Sequence, residues 1–518
     1  MDDTTSHSGP SIETQQDGSE HLQGHLGTLG LIFTALAFNA PLTVMAATVP
    51  IVINGGIGAG TPVVYLAIMA LVLVFAVGLV AMAKYMEKPG AFYTYIIAGL
   101  GRSVGLGGGF LAILTYLGLG ASTYVVAGFS EQSLLHNNLG GPDIPWWVIV
   151  LGQWALISWL SLRNIDISIR VLGVALAVEV LIVAVWSLAV VINGGPEGRS
   201  LDLDGQLTTG SLGFALLMGL SCLGGFESIQ VYRDETRNPM KTIPRATYLT
   251  VVFLAGFYCI GSYVYLVAYG TGPAMATAAD PTNAFMASIG AYTGTFMQQL
   301  GYVLTWSSAA AALLAIHNVT ARYIFALARD GVFPRWLARV HPRYKSPSTA
   351  AMAVSVTLLV FALAPATFQL DPVVGYTIQY GLASWCMVAL FAGTALATVV
   401  FFARNRNLHA SVWTRLVAPV LALCGMAVVL YLATVQREAL FGSAELGALG
   451  IAFLILVAVG GVLYARWLKA RRPEVYELIG DQEENGVLVP LEHPPAIEDD
   501  DEDLAPQVTP RPEDIPGT

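Results

Sequence analysis

At the centre of the long apolar stretches of this 518-residue chain, the ionisable side chains are Glu179, Glu227 and His317. A carboxylate placed in hydrocarbon costs about 2.5–3.5 kcal/mol on insertion scales, so each needs a partner, a proton or a function. Glu227 follows Gly224-Gly225-Phe226. There it could accept from backbone N–H groups freed by a break, face a substrate ammonium, sense protons, or simply staple a broken helix. Glu179 is the sole charge between residues 171 and 192. It could bind and release a proton, ligate a cation, or sit permanently protonated as packing. His317 and Asn318 are neighbours in a later apolar run; they are secondary candidates, since a lone His there is commonly a hydrogen-bonded interior residue. These scattered groups make no H-E-x-x-H or nucleophile–base set. Cys222, Cys259, Cys386 and Cys424 have neither paired nor metal-like spacing. No enzyme, metal or cofactor is expected.

The elements holding these groups are membrane helices. Only 12% of residues are charged and 55% are hydrophobic, with a mean hydropathy of +0.64, which is the composition of a bilayer protein. Runs long enough to cross roughly 30 Å of hydrocarbon fall near 26–50, 62–83, 104–129, 146–162, 171–192, 211–232, 247–269, 297–321, 348–365, 374–402, 414–433 and 445–467. Of 25 Lys and Arg, 23 fall on one side of that twelve-span layout, and only Arg199 and Arg437 on the other. Cytoplasmic loops retain basic residues, so both termini are expected in the cytoplasm, with the chain in a bacterial inner membrane. The net charge of −10 is a tail property, because residues 473–518 alone carry −13. Residues 1–25 lack the charged start of a cleavable signal peptide. They and the acidic, Pro-rich 471–518 are expected to be disordered, flanking one twelve-helix domain at 26–470.

Two spans carry interruptions. In the first, Asn39-Ala40-Pro41-Leu42-Thr43 puts a Pro in mid-membrane, deleting an N–H and clashing with the preceding turn. In the sixth, Gly219 and Gly224-Gly225 weaken the helix beside Glu227. Breaks five spans apart fit an inverted repeat of spans 1–5 and 6–10, with a substrate between them. Half-helix N-termini there offer N–H groups to a carboxylate and C-termini offer carbonyls to an ammonium. Gly and Pro also mark plain kinks or close packing in membrane helices, and that alternative stays open. A channel would call for pore-lining charge rings or carbonyl filters, which one long chain with two breaks does not favour.

The run Gly224-Gly225-Phe226-Glu227, then Asp234-Glu235-Thr236-Arg237-Asn238-Pro239, then Thr242-Ile243-Pro244-Arg245-Ala246 resembles the span-six signature of the amino acid-polyamine-organocation (APC) permeases. Pro89-Gly90-Ala91-Phe92-Tyr93-Thr94-Tyr95 and the Asn318 to Pro334 stretch agree in order and spacing, and the likeness to the bacterial amino acid permease branch covers roughly 26–470. It implies an all-α LeuT-like fold of 5+5 inverted repeats with broken helices 1 and 6, and spans 11 and 12 peripheral. It implies a site at Ala40, Pro41, Leu42, Thr43, Val44 and Met45, with walls from Thr115, Tyr116 and Gly120 of span three and Ser221, Gly224, Gly225, Phe226 and Glu227 of span six. Many family members have Gly-x-Gly where this chain has Ala-Pro-Leu-Thr. Alignment through Ser168-x-Arg170 sets Glu179 where proton-coupled relatives carry a Lys in the sodium site of the wider fold. The implied function is secondary active transport of an amino acid or related amine by alternating access, with Glu179 coupling it to a proton. An exchanger, or a membrane sensor that binds without transporting, has the same signature. The expected partners are that small molecule, H+ and the lipid bilayer, with an oligomer left open and no nucleic acid.

Overall fold

The computed structural model describes residues 27–86, 92–163, 169–199, 210–277, 280–341, 343 and 346–480. The expected termini at 1–25 and beyond 480, Pro89-Gly90-Ala91 and Ser168 lie outside them. Among the described residues the chain is helical, with a lone Gly195–Gly198 bridge in place of any strand.

The first apolar run is two helices, α1 (Thr28–Asn39) and α2 (Pro41–Gly55), bent by 41°. Then come α3 (Thr61–Ala83), α4 (Phe92–Leu100), α5 (Arg102–Ser133), α6 (Trp146–Leu162) and α7 (Ile169–Asn193). The sixth run splits into α8 (Leu212–Ser221) and a 3-10 segment, Phe226–Glu235. The chain continues with α9 (Pro239–Tyr269), α10 (Pro281–Thr293), α11 (Thr295–Arg329), α12 (Ser348–Thr367), α13 (Pro372–Arg404), α14 (Ala418–Val435) and α15 (Ala444–Arg471), besides short turns.

Ten helices among the described residues are long and apolar enough to cross a membrane, and the bent α1–α2 pair makes an eleventh. The remaining expected span, α6, has 17 residues, a length of about 26 Å, and falls short of that measure because Pro145 and Arg163 bound it. The packed chain also runs past the expected tail boundary at 471. A short helix, Pro473–Leu478, docks on α5 through Tyr476 to Ser103 (3.2 Å) and Arg102 to the Ile479 carbonyl (3.3 Å).

The long α5 sits at the centre, packing against α4, α6, α11, α12, α13 and α15. Its glycines permit this. A Cβ on Gly107 would stand 2.7 Å from the Ala458 carbonyl oxygen, and one on Gly461 would stand 2.9 Å from Gly107 Cα. Lipid tails supply no hydrophobic drive between helices, so such close backbone crossings supply the contact instead. The face of α15 away from this crossing is exposed, with Leu449, Phe453 and Leu456 more than half accessible.

Gly107→Leu should therefore cost about 1–3 kcal/mol through overpacking, read as a lowered unfolding temperature in detergent. Gly256→Leu on α9, where an added Cβ meets nothing within 4 Å, should leave that temperature unchanged.

Candidate functional site

The break in the first span follows from three consecutive residues. Pro41 has no N–H and disfavours helical backbone in the residue before it. Ala40 accordingly turns left-handed (φ 51°, ψ 66°), a conformation that costs a non-glycine residue roughly 1–2 kcal/mol. Asn39 then ties the break to its counterpart. Its Nδ2 donates to the carbonyls of Cys222 (2.6 Å) and Gly224 (2.8 Å), while its Oδ1 accepts from the Tyr258 hydroxyl of α9. The two interruptions are thus in direct contact, through carbonyls exposed because α8 ends at Ser221 and Gly225 turns to φ 103°.

A buried cavity of about 50 Å³ lies at this junction. Span one contributes Phe38, Asn39, Ala40, Thr43, Val44 and Thr48, and the α8 end contributes Ser221 and Gly224. Leu119, Thr123 and Val126 come from α5, Ala312 and Ile316 from α11, and Tyr376 and Tyr380 from α13. Drug-sized pockets run to several hundred Å³, so this one is closed down, with room for water rather than for an amino acid. All described residues around it are uncharged. Ser221 Oγ is buried without a hydrogen-bond partner, which leaves a donor and an acceptor at the cavity wall.

Of the residues singled out in the sequence, Ala40, Thr43, Val44, Ser221 and Gly224 line the cavity, and the others take different positions. Met45 packs its thioether against Gly261 of α9, and Pro41 is buried in the first turn of α2. Thr115 donates back to Leu111 (2.9 Å). Gly120 faces Leu358 and Ile316. Tyr116 stands edge-on to Phe38 (6.0 Å between ring centres) and tilted against Tyr323 (5.8 Å), one layer behind the cavity. Phe226 packs against Phe75 and Phe391. Beside it Glu227 Oε2 accepts the Gly225 N–H at 2.8 Å, and Oε1 is buried without a partner.

Glu179 comes from α7 to the other side of the break. Its Oε2 accepts from the Leu42 N–H (3.4 Å), one of the donors that the start of α2 leaves without a helical partner, and from Ser308 Oγ of α11 (3.1 Å). Thr43 Oγ1 donates to the Thr305 carbonyl one turn away (3.2 Å). His317 lies further along α11, between Ser161 of α6 and Ser355 of α12 (2.8 Å each), and Ser161 also donates to Asn318 (2.7 Å). That pair joins three helices outside the cavity.

Sequence reasoning passed over Tyr376 and Tyr380. They stack at 5.5 Å; Tyr376 pairs with Thr48 (2.6 Å), and the Tyr380 hydroxyl points to Cys222 Sγ (3.7 Å). Two tyrosines four apart in one span share a face, which was the available signal. Glu131 was also missed: it lies past the expected end of span three at 129, yet α5 runs on to Ser133 and Glu131 accepts from Gln153 of α6.

Asn39→Ala removes all three ties at once and leaves buried carbonyls unpaired, at about 1–3 kcal/mol each. The expected outcome is a lower unfolding temperature together with faster maleimide labelling of Cys222, which is fully buried in the intact junction.

Comparison with known proteins gives the family of the chain. The family profile described as Amino acid permease matches residues 30–368, from α1 to the end of α12. The low-affinity putrescine importer PlaP of Escherichia coli is 24% identical over 348 residues, which is 65% of this chain and 74% of the importer. The aromatic amino acid transport protein AroP of Escherichia coli is 26% identical over 264 residues, or 48% of this chain and 56% of AroP. An uncharacterized transporter of Mycobacterium tuberculosis is 28% identical over 214 residues, or 41% and 47%. With its profile match spanning more than half of the sequence and both broken helices, the chain belongs to the amino acid permease family, as a multi-pass membrane transporter rather than an enzyme.

Proposed function

We propose that this permease is a proton-coupled symporter that carries an amino acid or a related amine across a bacterial cytoplasmic membrane by alternating access. In this reading α6 counts as the fourth of twelve spans, spans 1–5 and 6–10 are the inverted repeats, and the basic-residue asymmetry puts both termini inside. Substrate binds at the Asn39-bridged junction, against Thr43, Val44, Ser221 and Gly224, in a widened form of the closed cavity. The names of two relatives, a putrescine importer and an aromatic amino acid transport protein, bracket the substrate class. The uncharged lining favours a zwitterion, whose two charges can be met by backbone groups at the breaks.

Coupling rests on the observation that one carboxylate, Glu179, joins α7 both to the broken span and to α11. Ionised, it accepts both hydrogen bonds; protonated, it has a hydrogen to donate and one fewer site to accept with. The protonation state thereby acts on the contact between the break and α11. Such a buried ionisable group is the expected seat of coupling in a transporter.

Glu179→Gln in proteoliposomes tests this, because Gln keeps the size and an acceptor oxygen but cannot exchange the proton. Amino acid counterflow should persist, while accumulation driven by an imposed pH gradient falls to the level of protein-free liposomes. Full pH-driven accumulation by the variant would overturn proton coupling through Glu179. Counterflow without pH-driven uptake in the unmodified protein would make it an exchanger.

A further inference from the structure

A groove of about 890 Å³ lies on the opposite side of α6 and α12 from the substrate site. Its floor is the seam between these helices, closed at one end by the hydrogen bond from Trp154 Nε1 to the Ser355 carbonyl (2.8 Å) and at the other by Ser346 Oγ to the Leu162 carbonyl (2.9 Å). Along its length the chemistry changes. At the basic end stand Arg163 and His341, with the Arg163 guanidinium 4.5 Å above the Trp159 ring. Trp159 and Trp336 flank that end, 47% and 52% exposed. The 3-10 turn Arg335–Ala338 carries Trp336 and is held to α12 by Thr349 Oγ1 donating to the Trp336 carbonyl (2.8 Å). Beyond the tryptophans the lining is apolar, with Met352 and Val356 about half exposed one turn apart on α12.

We propose that this groove is a binding site for one anionic phospholipid, its phosphate at Arg163 and an acyl chain laid along Met352 and Val356. Three features select that occupant over any other apolar body. The Arg163 guanidinium carries five N–H donors in a fork that matches phosphate oxygens, and basic pockets between membrane helices at the cytoplasmic side, where the orientation proposed above puts this end, bind anionic head groups. Exposed tryptophans mark the depth of the head-group boundary. From Ser348 to Thr357 the groove runs roughly 14 Å along the helix axis, about one leaflet of a hydrocarbon core of some 30 Å. The site is separate from the substrate cavity, and Ser161 and Ser355 on the two groove helices hold His317 of α11.

The test uses the full chain purified from liposomes of phosphatidylcholine mixed with phosphatidylglycerol, with retained lipid counted by native mass spectrometry. Phosphatidylglycerol should be retained in preference to phosphatidylcholine. Arg163→Gln should weaken its retention roughly five-fold, the worth of one basic residue near an anionic surface. Val356→Trp, at a half-exposed position where a larger side chain has room, should fill the chain groove and abolish retention with the arginine intact. Soluble glycerophosphate should not compete. Equal retention of the two lipids, retention unchanged in either variant, or displacement by glycerophosphate would each overturn the proposal. So would a dimer that carries no lipid and dissociates with Val356→Trp, since the groove would then be covered by a second copy.

Discussion

Everything in this molecule is arranged around a backbone that is broken where no water is on hand to repair it. Unpaired N–H and C=O groups in hydrocarbon cost several kcal/mol each, so a mid-span break persists only if side chains from elsewhere meet the exposed groups. Asn39 does this for the sixth span, capping two of its carbonyls. Glu179 does it for the first, accepting the Leu42 N–H. The same requirement explains the left-handed Ala40. Its strain is tolerated because Asn39, the adjoining residue, is fixed from three directions.

Repairing a break from outside the helix has a functional consequence. Groups that satisfy one another within a regular helix are unavailable to anything else, whereas groups satisfied by an Asn, a Glu or a Ser can change partners. The cavity forms where such replaceable contacts gather. Ser221 Oγ and Glu227 Oε1 are buried there or one layer behind without a partner, and native proteins leave few such atoms unsatisfied. In the binding mode proposed above, a polar small molecule entering the junction would bring the groups they lack.

Much of the fold was legible in the sequence for the reason membrane proteins are legible at all: each crossing must be long, apolar and internally bonded. The break at Pro41 was legible too, since a missing N–H is a property of the residue itself. What could not be read was pairing across the chain. Glu179 meets Leu42 and Ser308 from 137 and 129 residues away, and Asn39 gives no hint in its own neighbourhood that Tyr258 and Cys222 are its partners. Tyr116 shows the same limit from the other side. Its depth in span three pointed to the cavity, but Phe38 stands between them. Hydropathy also ended span three before Glu131, because a helix continues past the membrane boundary wherever its polar residues find partners, as Glu131 does in Gln153.

The element that draws these observations together is α11. One turn of it reaches the first break directly through the Thr305 carbonyl and, by way of Glu179, through Ser308; the next stretch lines the cavity with Ala312 and Ile316, and His317 clamps the helix to α6 and α12. The first contacts are single hydrogen bonds of 3.1–3.2 Å; the clamp is two bonds of 2.8 Å from one fully buried ring. In side-chain hydrogen bonds α11 is therefore tied more closely to its outer neighbours than to the broken span. Under the alternating access proposed above, α11, α6 and α12 would form one body, with the broken span the part that moves against it.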